Sequence, residues 1–167
     1  MRQLWAPWRM EYVAAGQSDQ GCVLCAIAAG DDAESRLVVD RDELVFTVLN
    51  LYPYSSGHLM VVPIRHVPAI SDLTVEEGGA VFAATQRAVH ALDAAMSPQG
   101  FNLGANQGRA AGAGIDDHFH LHVVPRWNGD TNFMPVLADA KVIPEHMDRT
   151  AERLRAAFAD VGESPAK

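Results

Sequence analysis

Three histidines occupy alternate positions, His118, His120 and His122, in the run Asp117-His118-Phe119-His120-Leu121-His122-Val123-Val124-Pro125-Arg126. The spacers Phe119, Leu121 and Val123 are apolar. On an extended strand, whose side chains alternate with period 2, this pattern predicts three imidazoles on one face and three core-facing groups on the other. Imidazoles change charge near neutral pH, so such a cluster supplies a nucleophile, acids and bases, or metal ligands. Packing alone does not call for it. The plain alternative is a half-buried strand whose wet face is rich in histidine by accident.

A second group with chemical potential is Gly21-Cys22-Val23-Leu24-Cys25, which holds both cysteines of the chain. A secreted disulfide framework needs more cysteines, and a two-residue gap suits a metal clip or a redox pair. The redox reading lacks the thioredoxin-like βαβ context. Two reduced cysteines without metal are the bland alternative.

These residues need elements to position them. Residues 36–40 and 44–50 read as two strands around the turn-like Asp40-Arg41-Asp42-Glu43. Tyr52-Pro53-Tyr54-Ser55-Ser56-Gly57 is a loop, and residues 58–63 form a third strand closed by Pro63. A helix is predicted over 74–96, where Thr74 and Glu77 fit a capping box and Val81, Phe82, Thr85, Val89, Leu92 and Met96 form an apolar stripe. His90 lies on this helix and reads as a surface residue. Residues 101–106 make a fourth strand, ahead of the small-residue loop Gly108-Arg109-Ala110-Ala111-Gly112-Ala113-Gly114. Glycine there permits close approach of backbone N–H groups to a phosphate. Residues 144–160 read as a C-terminal helix with Met147, Ala151, Leu154 and Phe158 inward. This order of elements predicts an α+β domain, an antiparallel sheet with helices segregated to one side.

The chain has 167 residues and a formal charge of −8, so a single domain is expected and a general nucleic-acid binder is not. No apolar run reaches membrane-spanning length and no signal-peptide pattern opens the chain, which points to a cytoplasmic protein without a membrane partner. A polyanionic small molecule still suits it where histidines, backbone N–H groups and Arg65, Arg109 or Arg126 create a local positive site. Residues 1–20, with Trp5-Ala6-Pro7-Trp8-Arg9-Met10, read as an N-terminal arm that docks on the core or on a second subunit. The domain proper is expected over 21–143, with 144–167 a helix and tail of the same domain.

The run His118-Phe-His120-Leu-His122-Val-Val resembles the signature of the histidine triad (HIT) family of nucleotidyl hydrolases and transferases. Asn50, eight residues before His58 in Asn-Leu-Tyr-Pro-Tyr-Ser-Ser-Gly-His, is similar to that family's nucleotide-binding strand pair. The likeness spans about residues 20 to 127. Trp5-Ala-Pro-Trp-Arg-Met, the Cys-x-x-Cys, Tyr-Pro-Tyr and residues 125–135 resemble a bacterial branch that includes diadenosine tetraphosphate phosphorylases.

The resemblance implies a HIT-like fold and two-step transfer of a nucleoside monophosphate through a covalent histidine. His120 corresponds to the nucleophile, with one ring nitrogen protonated and donated to a backbone carbonyl. His122 would stabilise charge on the phosphate or leaving group, and His118 completes the triad. Asn50 and His58 would serve the nucleoside end; Asn106, Gly108, Ala113 and Gly114 would serve the phosphate, and Arg126 its distal part. Tyr52 and Tyr54 would either stack on a base or cover the sheet. By the same resemblance Cys22, Cys25, His66 and His118 would hold one structural zinc, and no organic cofactor is expected. The implied substrate is an adenine nucleotide or dinucleoside polyphosphate, with inorganic phosphate as acceptor and a homodimer or dimer of dimers as the assembly.

One element departs from the family pattern. Relatives carry Gly-Gln-Ser/Thr before the triad, where this chain has Ala113-Gly114-Ile115. The lost side-chain donors leave space beside the α-phosphate, which an acceptor phosphate would fill. The alternatives within the family are a dinucleoside polyphosphate hydrolase and a nucleoside phosphoramidase. Outside it stand a non-catalytic nucleotide sensor and a catalytic metal centre built on the three histidines. The last would want a nearby carboxylate base, and Asp117 should face away from His118.

Overall fold

A computed structural model describes residues 21–130 and 145–163. Within them five strands form one antiparallel sheet in the order β1-β2-β3-β5-β4: β1 Val38–Arg41, β2 Val45–Leu49, β3 Leu59–Pro63, β4 Gly100–Gly104 and β5 Leu121–Arg126. Three helices accompany them: α1 Val23–Ala29, α2 Val75–Met96 and α3 Met147–Glu163. The α+β architecture expected from the element order is the one observed.

The β1–β2 turn is set by Asp42, whose Oδ1 accepts from the backbone N–H groups of Leu44 and Val45 at 2.9 and 2.8 Å. β2 and β3 pair from Val45 opposite Pro63 to Leu49 opposite Leu59, and every residue of both strands is buried. They are central strands covered on two sides, so they read as continuous apolar runs rather than alternating ones.

The capping box on α2 is present. Thr74 Oγ1 accepts from Glu77 N–H at 3.1 Å, and Glu77 Oε2 accepts from Thr74 N–H at 2.8 Å. The buried stripe of α2 differs from the expected one: Val81, Ala84, Thr85, Ala88, Ala91 and Leu92 face inward, whereas Phe82 is 67% exposed. Small alanines let the helix lie close to the sheet, so bulky residues are not what marks its inner face. α3 packs on α2 and β1 through Ala151, Leu154 and Phe158, as expected, with Met147 partly buried beside them. His90 is exposed.

Three further differences concern the strands and the first helix. Residues 33–37 form a 3-10 turn, so β1 begins only at Val38. Gly104 ends β4, two residues before the expected limit. The short helix α1, which has the second cysteine in its first turn, has no N-cap signal in the sequence: its N-cap residue is Cys22, no side chain caps it, and only Gly30 marks its end. None of the described helices is long and apolar enough to cross a membrane. The N-terminal arm over 1–20 and residues 131–135 of the Pro125–Pro135 segment lie outside the described residues.

Candidate active site and metal centre

The histidine run is not a single strand. β5 starts at Leu121, so only His122 belongs to it, while His118 lies in a bend and His120 in the irregular segment that precedes the strand. Phe119 fixes the path there. Its N–H donates to Val67 O at 2.6 Å, and its side chain is buried in the core at 2% exposure. His118 therefore leaves the shared histidine face expected of the run, while His120 and His122 stay together, their ring centroids 4.9 Å apart. A backbone that leaves the ladder to bond Val67 loses the strict alternation of a strand.

His118 turns toward the cysteines. Its Nδ1 lies 3.3 Å from Cys22 Sγ and 3.5 Å from Cys25 Sγ, while Nε2–H donates to Pro63 O at 2.9 Å. His66 Nδ1 is 3.3 Å from Cys25 Sγ, and its ring meets that of His118 edge-on at 4.9 Å. The ligand atoms of Cys22, Cys25, His66 and His118 all lie within 4.8 Å of one another. With the Nε2 proton of His118 given to Pro63 O, the Nδ1 lone pair faces the sulfurs. Two thiols and two imidazoles with that orientation fit a tetrahedral soft-metal site. Burial, and Cys22 beside it, push the Cys25 thiol up to about 11. A bound divalent cation inverts that preference, since it favours the thiolate.

His120 is buried to 5% exposure. Its Nδ1–H donates to His118 O at 2.9 Å, so the lone pair resides on Nε2. Burial holds its pKa below the usual histidine range, which keeps the ring neutral at pH 7. The His122 ring stands at 4.9 Å from His120, almost perpendicular to it.

His122 is held from behind by His58. The register places Met60 and Gly104 opposite His122, and His58 shares the face of Met60 by alternation. Tyr54 N–H donates to His58 Nδ1 at 3.0 Å, so His58 carries its hydrogen on Nε2 and donates it to His122 Nδ1 at 3.0 Å. That bond leaves the His122 hydrogen on Nε2. The direction of the relay, from backbone to His58 to His122, follows from one main-chain donor.

The loop between β2 and β3 supplies that donor. Asn50 Oδ1 accepts from Tyr52 N–H at 2.9 Å, and Asn50 Nδ2 lies 3.4 Å from His58 Nδ1. Asn50 thus closes an Asx-type turn. The Tyr54 ring stacks on His58 at 4.7 Å, while Tyr52 is 60% exposed. Sequence reasoning placed His58 at the nucleoside end; its contact with His122 was not anticipated, and only the fold's register reveals it.

Beside His122 opens a cleft of about 460 Å³, with Asn102, Asn106, Arg126 and Asp130 among its polar lining and Tyr54 on one wall. Arg126 donates to both Asp130 oxygens and, at 2.8 Å, to Asn102 Oδ1. Arg65 is likewise bidentate to Glu77, and Arg109 pairs with Asp116 at 2.8 Å. All three arginines considered for a local positive site thus have carboxylate partners. Gly108 adopts a left-handed φ of 74° at the start of the small-residue loop, and Ala113 N–H turns back toward Gly108 O at 3.4 Å. Gly114 follows, half-buried, four residues before His118.

A sheet that carries a carbonyl-pinned imidazole next to a histidine relay, with a thiol–imidazole cluster on its flank, defines the class. The HIT domain family model matches residues 32–129, and the chain belongs to that family. It is 41% identical over 166 residues to the AP-4-A phosphorylase of Mycobacterium tuberculosis, covering 95% of this chain and 85% of that protein. Among solved structures it is similar to a zinc-bound histidine triad family protein from Mycobacterium smegmatis, with TM-score 0.71 and 30% identity over 87% of this chain and 98% of the other. A HIT family protein from Bacillus anthracis gives TM-score 0.62 at 30% identity, covering 90% of this chain and all of the other.

Proposed function

We propose that the protein is a nucleotidyl transferase that cleaves diadenosine tetraphosphate by phosphorolysis, giving ATP and ADP. The observation that carries this reading is the pinned ring of His120: Nδ1–H on a carbonyl, Nε2 carrying the lone pair, and a neutral state favoured by burial. Such an imidazole is a nucleophile without a separate base. The 41% identity to a relative named AP-4-A phosphorylase supports the choice of substrate.

In the first step His120 Nε2 attacks the α-phosphorus of one adenylyl unit, an N–P bond forms, and ATP departs. His122, with its hydrogen on Nε2, donates to the phosphoryl or departing oxygens where negative charge develops. His118 O stabilises the ring cation through Nδ1–H. In the second step an oxygen of inorganic phosphate attacks the same phosphorus, the N–P bond breaks, and ADP leaves with His120 restored. Asn50 orients the nucleoside end. Asn106, Gly108 and the Ala113–Gly114 backbone address the phosphates, and the cleft at Asn102 and Asn106 receives the acceptor or the departing polyphosphate. Arg126, already paired with Asp130, shapes that cleft rather than supplying net charge.

Cys22, Cys25, His66 and His118 are assigned as ligands of one zinc ion, which ties α1 to the sheet. The exposed residues 102–104 of the edge strand β4 and the exposed Phe82 on α2 offer a face for a second copy, in keeping with a homodimer. Reduced thiols held for a metal suit a cytoplasmic enzyme.

Incubation with diadenosine tetraphosphate, with and without phosphate, followed by chromatography of the products, tests the reading. ATP and ADP formed only with phosphate and only by protein with His120 intact are expected. AMP with ATP regardless of phosphate makes the enzyme a hydrolase instead. Binding without turnover, extended to phosphoramidates, makes it a sensor.

A further inference from the structure

The thiol–imidazole cluster and the nucleophile share a backbone. His118 gives its ring to the cluster and its carbonyl to His120 Nδ1–H, at 2.9 Å. Three bonds separate the two functions on that one residue's main chain and Cβ. The other histidine of the cluster is coupled to the same stretch. His66 immediately precedes Val67, and Val67 O receives the Phe119 N–H at 2.6 Å. Pro63 O, three residues before His66, receives His118 Nε2–H. The cluster thus brackets both chains whose mutual hydrogen bonds set where the His118 carbonyl points.

We propose that metal held by Cys22, Cys25, His66 and His118 positions the nucleophile, by fixing the His118 carbonyl that selects the Nδ1–H form of His120. In this role His118 and His66 are positioning residues, acting on the chemistry through His120 and touching no substrate. The inference rests on the reading of His120 as nucleophile.

The physical case is one of constraint. Without metal, the cluster offers two thiols beside two imidazoles, contacts of 3.3 to 3.5 Å that are weak hydrogen bonds at best. Coordinate bonds to four residues replace them with a rigid frame. A rotation of the 118–119 peptide would take the carbonyl away from Nδ1. His120 would then divide between its two neutral tautomers, and only the one with the lone pair on Nε2 attacks. His122 provides an internal reference. Its form is set by Tyr54 N–H and His58, a chain of bonds that does not pass through the cluster.

The test is two-bond 15N–1H spectroscopy of the full chain with 15N-labelled histidine, zinc-loaded and after removal of zinc by chelator. Seven histidines allow assignment by single substitutions. With zinc, His120 is expected to show one tautomer with the hydrogen on Nδ1. Without it, the two ring nitrogens of His120 should move toward each other, while His58 and His122 stay fixed. In parallel, kcat should fall roughly ten- to hundredfold with little change in KM, the range found when outer partners of reactive groups are lost. If the apo chain loses its fold by circular dichroism, His66→Ala carries the comparison. That ring is exposed, so its removal opens no core cavity. An unchanged His120 pattern in folded, zinc-free protein overturns the proposal, and so does a change shared equally by His58 and His122, which reports general loosening. If diadenosine tetraphosphate proves not to be a substrate, the ring spectra still decide the positioning role, so the two readings fail separately.

Discussion

His118 and His122 are the outer members of one run, equally spaced from His120, and the structure gives them opposite surroundings. His118 is 1% exposed, its Nδ1 facing two sulfurs and its Nε2–H given to a carbonyl. His122 is half-buried, its Nδ1 facing another imidazole, at the edge of the cleft. The same side chain joins a candidate metal cluster on one side and makes a proton-bearing contact on the other. What separates them is the backbone: the Phe119–Val67 hydrogen bond turns His118 away before β5 begins. Residue type and spacing set what a site can do, and the path of the main chain between them divides the tasks.

The sharpest way to break that division is to remove the middle residue and ask which side suffers. His120→Ala is expected to lower turnover by at least about 10³-fold, the scale for loss of a nucleophile. Zinc content, measured by mass spectrometry on the purified protein, should stay stoichiometric. Loss of zinc together with activity would mean that the two sides are one unit. The next effect falls on the His122 side alone. His58→Phe keeps the volume and the ring but removes the Nε2–H that meets His122 Nδ1. An acceptor shielded from water and left without its donor costs about 1–3 kcal/mol, which corresponds to roughly five- to 150-fold in kcat if borne by the transition state. Zinc binding by this variant should match that of the unaltered protein; a drop would join His58 to the cluster.

Much of this was legible in the chain before any coordinates. The α2 capping box, the inward residues of α3 and the central strands β2 and β3 follow from side-chain type and pattern. The four candidate metal-binding residues were reached through the family likeness, and the geometry draws them together. Three things were hidden, each for a physical reason. The alternation from 118 to 122 looks like a strand because sequence period does not record which carbonyl Phe119 N–H will find. Phe82 looks like core because apolar spacing cannot show that alanines line the close helix–sheet contact. The pairing of His58 with His122, 64 residues apart, exists only once β3 and β5 are in register.

Gly57 tests how rigidly the loop must hold the relay. Its φ is +77°, and a Cβ there would lie 2.6 Å from Met96 Sδ and 3.1 Å from Leu92 Cδ2. Left-handed backbone disfavours any Cβ by about 1–2 kcal/mol, and the sulfur must also move. Gly57→Ala is therefore expected to lower unfolding free energy by about that amount in denaturant titration. Because residues 54–58 deliver the Tyr54 N–H to His58, kcat should fall while zinc affinity does not.

The smallest effect belongs to the cluster side, where Arg65 stands next to His66. Arg65 donates to both oxygens of Glu77, at 2.7 Å each, and this pairing, with the Thr74 N–H, pulls the Glu77 carboxyl down from 4.5 to about 2. Glu77→Gln isolates the charge, because glutamine at this position still completes the capping box. With Arg65 half exposed, the loss should be only about 0.5–1 kcal/mol at neutral pH. The sign of the pH dependence follows from the depressed value. The unfolded carboxyl takes up its proton first, so the stabilisation is complete above 4.5 and is lost as pH falls toward about 2. Denaturation curves of the two proteins should differ by a constant amount above that range and converge below it. A gap that persists in acid would show that the bond geometry at Arg65, rather than the ionised carboxylate, anchors the segment leading into His66.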